Sequence, residues 1–320
     1  MSDFLFTFII PHYGIPDLLC RCVCSIPQKE DIQIIIVDDR SPAYETYREQ
    51  YPDLFRPGIQ WIRAPRHAGA GYARNLGLDR ADGKWVLFAD ADDFYSDGLN
   101  EFLEENKDAP EDIIYFRNEC RLSDQPDQPS SRSDWMGRLF DHYRETRDSN
   151  YLEFNHWAPW GKMIRRSFLT ENQIRFEEIP YSNDVVFSAL CASKAHSVRI
   201  VDTVLYLVTE REGSLTSKGR RKPGEMAIRA NAALEAQKIA NGQGFHRLLF
   251  PLPHYLYKMY YHDRPLFHAF FRRIPEVYPS YWEPMKMMVG FEKGILRKGL
   301  LLVFLLSTYL RTKACATRKP

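Results

Sequence analysis

Two short runs constrain this chain more than any other feature: Phe4–Ile10 and Ile32–Val37 are almost unbroken apolar residues, mostly β-branched or aromatic. A strand with one face in water alternates apolar and polar side chains, so continuous runs predict strands covered on both faces. Helical spacing follows each of them. Asp17–Ile26 sets Leu18, Leu19, Cys22 and Ile26 on a helical face, and Pro42–Tyr51 reads as a second helix. The alternation continues through a strand at Ile59–Ile62, a helix at Ala70–Ala81, a strand at Trp85–Ala89, a helix at Gly98–Asn106 and a strand at Ile113–Phe116. This βαβαβαβ order predicts an α/β fold with a largely parallel, doubly wound sheet.

Length and composition agree with a large core. The 320 residues suggest about two domains, and 44% hydrophobic with 14% aromatic residues exclude wholesale disorder. Arg121–Ser133 is polar and reads as a mobile loop, and Lys218–Gly224 reads as a linker. The expected organisation is a catalytic domain at residues 1–217, the linker at 218–224, and a mostly helical region at 225–320 that opens with a helix at Glu225–Asn241. No internal repeat is evident.

The net charge of +1 gives no global reason to expect nucleic acid, but it hides an asymmetry. Residues 286–320 hold eight basic side chains against Glu292 alone, a charge of +7, which leaves −6 on residues 1–285. Within that tail, Gly299–Leu310 is a 12-residue uncharged run. As a helix it would reach only about 18 Å, too short for a bilayer core of about 30 Å. Met1-Ser2-Asp3 lacks a basic n-region, and Phe4–Ile10 reads as a strand, not a signal peptide. The expectation is a cytoplasmic protein with reduced thiols, in peripheral contact with the cytoplasmic face of the membrane through residues 286–320. The alternative for this segment is a helix packed on the body.

Acids gather where a parallel sheet binds ligands, at the carboxyl ends of strands. Asp38 and Asp39 close the second strand, and Asp90, Asp92 and Asp93 close Trp85–Ala89. Clustered carboxylates repel one another unless a cation or donor groups compensate. Oxygen ligands at one-residue spacing suit Mg²⁺ or Mn²⁺ shared with a diphosphate. Asp also caps loops and helix starts, so one pair alone would decide nothing. The three thiols of Cys20-Arg21-Cys22-Val23-Cys24 scatter round a helix axis and make a poor metal site. Gly69-Ala70-Gly71 lacks the third glycine of a dinucleotide fingerprint, which argues against a nicotinamide dehydrogenase.

Several segments occur in a telling order: Phe8-Ile9-Ile10-Pro11-His12-Tyr13, Ile35-Ile36-Val37-Asp38-Asp39-Arg40-Ser41, Ala73-Arg74-Asn75-Leu76-Gly77, and Gly83 through Asp93 with its Asp90-Ala91-Asp92. Together they resemble the ordered signature of family 2 glycosyltransferases, which have the GT-A fold and a D-x-D motif. Trp160–Phe168, Ile174–Phe176, Asn183–Phe187 and Arg211–Ser214 are similar to the bacterial members that build polysaccharides and glycolipids. The resemblance covers about residues 4–217.

It implies an inverting, metal-dependent glycosyltransferase of hexosyl or N-acetylhexosaminyl type. Such an enzyme takes a nucleotide-sugar, with a UDP-sugar expected, to a saccharide or lipid-linked acceptor. By resemblance, Pro11 and Tyr13 line the base pocket, Asp39 accepts the base N–H, Arg74 neutralises phosphate and Asp90 faces the ribose. Asp92 would hold Mn²⁺ or Mg²⁺ on the diphosphate, and Arg211 and Ser214 would close over it. The family usually places Glu-Asp where this chain has Asn183-Asp184, which leaves Asp184 as the base. The alternative is a catalytically silent nucleotide-sugar-binding or scaffold protein of the same fold, which retention of Asp39, Asp92 and Asp184 together disfavours.

Overall fold

The structure, a computed structural model, describes residues 4–130, 135–210, 223–247, 249 and 251–316. The chain divides into two compact units, Met1–Gly219 and Arg220–Pro320.

The first unit is built on an eight-stranded sheet in the order β3-β2-β1-β4-β7-β6-β8-β5. Its strands are β1 (Phe6–His12), β2 (Ile32–Asp38), β3 (Ile59–Arg63), β4 (Trp85–Phe88), β5 (Phe94–Tyr95), β6 (Ile113–Leu122), β7 (Lys162–Arg165) and β8 (Val198–Glu210). The helices are α1 (Pro16–Cys24), α2 (Tyr47–Gln50), α3 (Ala70–Leu78), α4 (Leu99–Asn106), α5 (Trp135–Thr146), α6 (Ser149–Asn155), α7 (Arg166–Glu171) and α8 (Asn183–Lys194).

Successive side chains on a strand point to opposite faces, and here both faces are covered. Phe6, Phe8, Ile10, Ile34, Ile36, Trp85 and Leu87 enter one apolar cluster. Their neighbours Ile9, Ile35, Val37, Val86 and Phe88 enter the other, on the opposite face. That is why these strands read as continuous apolar runs.

Strands β1, β2, β3 and β4 pair in parallel, so the carboxyl ends of β1, β2 and β4 share one edge. Beyond β4 the sheet is mixed. The segment read as the next parallel strand, β6, does not adjoin β4; β7 lies between them and is antiparallel to both. Three further differences from the sequence reading have local causes. Pro42–Tyr51 is a 3₁₀ turn at Tyr44–Thr46 followed by one turn of α2, because Tyr44 and Tyr47 both pack on Trp61 and Pro52 follows. Strand β6 runs on to Leu122, and its turn is closed by Leu122 N–H to Gln128 O (3.1 Å) and Ser130 N–H to Cys120 O (3.0 Å), where a mobile loop was expected. Pro223 and Gly224, assigned to the linker, already belong to a helix.

The second unit is helical: α9 (Pro223–Gly242), α10 (Pro251–His262), α11 (Arg264–Phe271), α12 (Trp282–Gly290) and α13 (Ile295–Ala316). Ala230, Leu234, Leu256, Met259, Phe267, Met288, Leu301 and Leu305 form its core.

Helix α3 reaches the sheet through glycine. A Cβ on Gly77 would lie 2.4 Å from Ile9 Cγ2, and one on Gly71 would lie 2.3 Å from the Glu177 carbonyl oxygen. This close approach buries Arg74 and Asn75 beside the strand ends. Gly77→Ala is therefore expected to destabilise the first unit by about 1–3 kcal/mol through overpacking. Gly98→Ala, whose new Cβ would meet Leu205 at an ordinary 3.4 Å, should stay within about 1 kcal/mol. Urea unfolding of both variants checks the contrast.

Candidate active site

The loops after β1 and β2 are tied together first. His12 Nε2 accepts the Ile15 N–H (3.1 Å), so its Nδ1–H faces Asp38 Oδ1 (3.2 Å). Asp38 Oδ2 accepts the Ser41 N–H (3.0 Å), and Ser41 Oγ accepts the Gly14 N–H (2.8 Å). Burial alone would raise the Asp38 carboxyl, but the hydrogen bonds from His12 and Ser41 outweigh it and hold its pKa below the ordinary value. Asp38 is thus committed to loop structure.

Asp39 faces the loop before α3. Its two oxygens accept the Ala68 N–H (2.9 Å) and the Gly69 N–H (2.8 Å), and His67 Nδ1 lies 2.9 Å from Oδ2. The exposed Tyr13 ring leans on His67 with centroids 4.7 Å apart, and Pro11, two residues earlier near the end of β1, is partly buried. Pro11, Tyr13, His67 and Asp39 therefore belong to one corner.

The turn after β4 separates its three acids. Asp93 is buried, with Oδ2 accepting from Tyr206 Oη (3.0 Å) and Oδ1 from the Thr209 N–H (2.7 Å). Burial, then the charges of Asp92 and Asp90, push its pKa well up. Tyr206 Oη also accepts the Asp90 N–H (2.8 Å). The Asp92 carbonyl accepts from Arg21 Nη2 (2.7 Å) and Thr209 Oγ1 (2.6 Å). Asp93 therefore shapes the turn, while Asp90 and Asp92 remain partly exposed at its rim.

Arg74 joins this turn to α8. Its Nη2 donates to Asp90 Oδ1 (2.5 Å) and its Nη1 to Asn183 Oδ1 (2.9 Å), with the guanidinium over the Phe176 ring. Next to Asn183, in the first turn of α8, stands Asp184. Burial raises its carboxyl above the ordinary Asp value; the Arg74 charge and its own backbone N–H pull the other way, and Asp90 adds to the rise. Asn183, where the family usually has an acid, serves here as a neutral acceptor for Arg74. One turn further along α8, Ser188 Oγ accepts from Lys162 Nζ (2.9 Å), which also donates to the His156 and Ala158 carbonyls (2.7 Å each). Burial lowers the Lys162 ammonium to about 8.

The structure thus brings together Pro11, Tyr13 and Asp39 at one corner, and Arg74, Asp90 and Asp184 in a second group that shares its turn with Asp92. Arg211 and Ser214 lie outside the described residues. Arg21, His67, Lys162, Tyr206 and Thr209 were not singled out from sequence. Only Lys162 had a signal, as part of the segment Trp160-Gly161-Lys162; the others act through contacts more than 25 residues away in the chain.

Among the described residues, no group of three or more His, Cys, Asp or Glu side chains could hold a metal ion. The donor chemistry still suits Mg²⁺ or Mn²⁺, which commonly take one or two carboxylates and complete their shell with substrate phosphates and water. Asp92, with Asp90 beside it, would be the protein's part of such a shell.

Four parallel strands continued by a mixed half-sheet, with helices on both faces, give the GT-A fold. The chain belongs to glycosyl transferase family 2, whose model matches residues 7–172, more than half of its length. It is 26% identical over 223 residues to the uncharacterized glycosyltransferase EpsJ of Bacillus subtilis, covering 66% of this chain and 63% of that one. It is 27% identical over 253 residues to a poly(ribitol-phosphate) beta-glucosyltransferase of Bacillus spizizenii, covering 73% of this chain and 38% of the relative. The chain therefore spans less than two thirds of the length of either relative. The crystal structure of Staphylococcus aureus TarS 1–349 in complex with UDP-GlcNAc shares the fold, with a TM-score of 0.59 at 17% identity over 97% of this chain and 89% of that one.

Asp184 offers a direct check of the electrostatics. Carboxyl ¹³C NMR should place its titration midpoint above that of an ordinary Asp. Arg74→Gln removes the main charge opposing the rise, so the midpoint should move further up. An unchanged or lower midpoint would contradict the geometry.

Proposed function

We propose that the chain is an inverting, metal-dependent glycosyltransferase that moves a hexosyl or N-acetylhexosaminyl group from a nucleotide-sugar to a saccharide or lipid-linked acceptor in surface polysaccharide assembly. The observation that carries this reading is the Arg74 bridge. It joins Asp90, in the turn after β4 on the donor side of the site, to Asn183, beside a carboxyl with raised pKa. The relatives act on, or are solved with, compatible molecules: a poly(ribitol-phosphate) acceptor in one name, UDP-GlcNAc in the TarS complex. These names support a UDP-sugar donor.

In the proposed site the base lies in the corner of Pro11 and Tyr13, where Tyr13 and His67 offer ring faces. Asp39 accepts a base N–H; an ionised carboxylate has about four acceptor positions, so its present contacts leave room for one more. Arg74 neutralises phosphate and Asp90 faces the ribose. A divalent cation at Asp92, when bound, supplies positive charge to the departing diphosphate.

Asp184 takes the acceptor hydroxyl proton as the oxygen attacks the anomeric carbon from the face opposite the diphosphate. A new C–O bond forms, the bond to the diphosphate oxygen breaks, and the configuration inverts. Burial makes ionised Asp184 a stronger base than an exposed Asp. The reaction takes place at the cytoplasmic face of the membrane, with peripheral contact through residues 286–320.

Four outcomes test the reading. Incubation with UDP-, GDP- and dTDP-sugars plus Mn²⁺ should release nucleotide from one class. Asp92→Asn should lower that release by about 10²–10³-fold and blunt its Mn²⁺ dependence; a folded variant with unchanged activity would overturn the metal assignment. Asp184→Asn should abolish transfer through kcat while calorimetry finds donor affinity nearly intact. Because its pKa is raised in the fold, ionised Asp184 costs stability at pH values above that pKa and nothing below the unfolded value. Asp184→Asn should therefore melt at the same or a higher temperature at pH 7.

A further inference from the structure

Helix α13 carries two apolar faces, and only one is covered. Leu301, Leu305 and Thr308 are buried, with Leu301 and Leu305 in the cluster that contains Met259, Phe267 and Met288. At about 100° per residue, the opposite side is formed by Leu296, Leu300, Val303, Leu306 and Leu310. Leu296 is 80% exposed, Leu300 64%, Val303 66%, Leu306 40% and Leu310 65%, and Ile295 extends the stripe at 91%. A surface helix ordinarily turns charged or polar residues away from the core. Here the outward side holds aliphatic residues broken only by Gly299 and Ser307.

Cations stand before and after the stripe along the chain, with Arg311 at its edge on the helix surface. Lys293, Arg297, Lys298 and Arg311 are exposed, and no Asp or Glu occurs from Lys293 to Pro320. A second copy of this face would set cation against cation. No helix among the described residues is long and apolar enough to cross a membrane. The occupant that matches is one with an apolar interior and an anionic surface.

We infer that the outward face of α13 lies in the interface of a bilayer containing acidic lipids, with the helix parallel to the surface. Leu300, Val303 and Leu310 enter the acyl boundary, Arg311 beside them sits among the headgroups, and Lys293, Arg297 and Lys298 at the start of the helix add positive charge near the anionic surface. This rests on the membrane contact proposed above and assigns it to one face of one helix. That face is free to engage lipid while Leu301 and Leu305 keep the helix packed in its own unit.

Vesicle flotation of the full chain tests this, using phosphatidylcholine vesicles with and without about 30% phosphatidylglycerol. Binding to the acidic vesicles should be at least about tenfold tighter than to neutral ones and should weaken in high salt. The triple variant Leu300→Asn, Val303→Asn, Leu310→Asn should lose at least about tenfold of that binding. Its circular dichroism and donor hydrolysis should stay unchanged, because the substituted side chains are exposed and belong to the second unit. If the full chain binds and this variant binds equally well, the assigned face is wrong while the membrane contact stands. If the full chain binds neither vesicle, both fail. If sedimentation shows a dimer that the variant dissolves, and no vesicle binding, a second copy covers the face and the inference is overturned.

Discussion

One buried guanidinium organises the site. Arg74 is held in place because Gly71 and Gly77 let α3 lie against the Glu177 carbonyl and Ile9 more closely than any Cβ would allow. From there it bonds Asp90 after β4 and Asn183 at the start of α8. A buried cation demands partners, and these two come from segments far apart in the chain. The same charge restrains the pKa of Asp184. Had position 183 carried an acid, it would compete with Asp90 for the guanidinium. The neutral amide bonds one end of it and leaves its charge to the carboxylates around it.

The acids at the strand ends show how environment divides one chemistry into several tasks. Asp38 is held by His12 and Ser41 and fixes two loops. Asp93 is enclosed by Tyr206 and Thr209 and sets the geometry of the turn. Asp39 binds two backbone N–H groups yet stands beside the exposed Tyr13. Asp90 and Asp92 stay at the rim. Behind them, Arg21 and Thr209 hold the Asp92 carbonyl, so the orientation of that residue depends on α1 and on β8, the strand that also brings Tyr206 to Asp90 and Asp93.

Much of this is legible in the amino-acid sequence. The apolar runs of β1, β2 and β4 announce strands covered on both faces, and acids at their ends announce a ligand edge. The order of motifs then points to the family that the match over residues 7–172 establishes. Other parts are not legible. The antiparallel insertion of β7 between β4 and β6 leaves no local trace, since a four-residue strand reads alike in either direction. Tyr206 sits in an unremarkable strand, and its hydroxyl matters only because β8 passes the end of β4.

The sequence by itself determined the periodicities, the motif order and the imbalance of charge between body and tail, because each is a property of neighbouring residues. Tertiary structure decided which acids are structural and which face the ligand edge, that Asn183 serves Arg74, and that α13 is apolar on two sides with one side covered. These follow from contacts between distant segments and from the burial those contacts create. Burial sets both the pKa of a carboxyl and the surface a helix leaves to a partner.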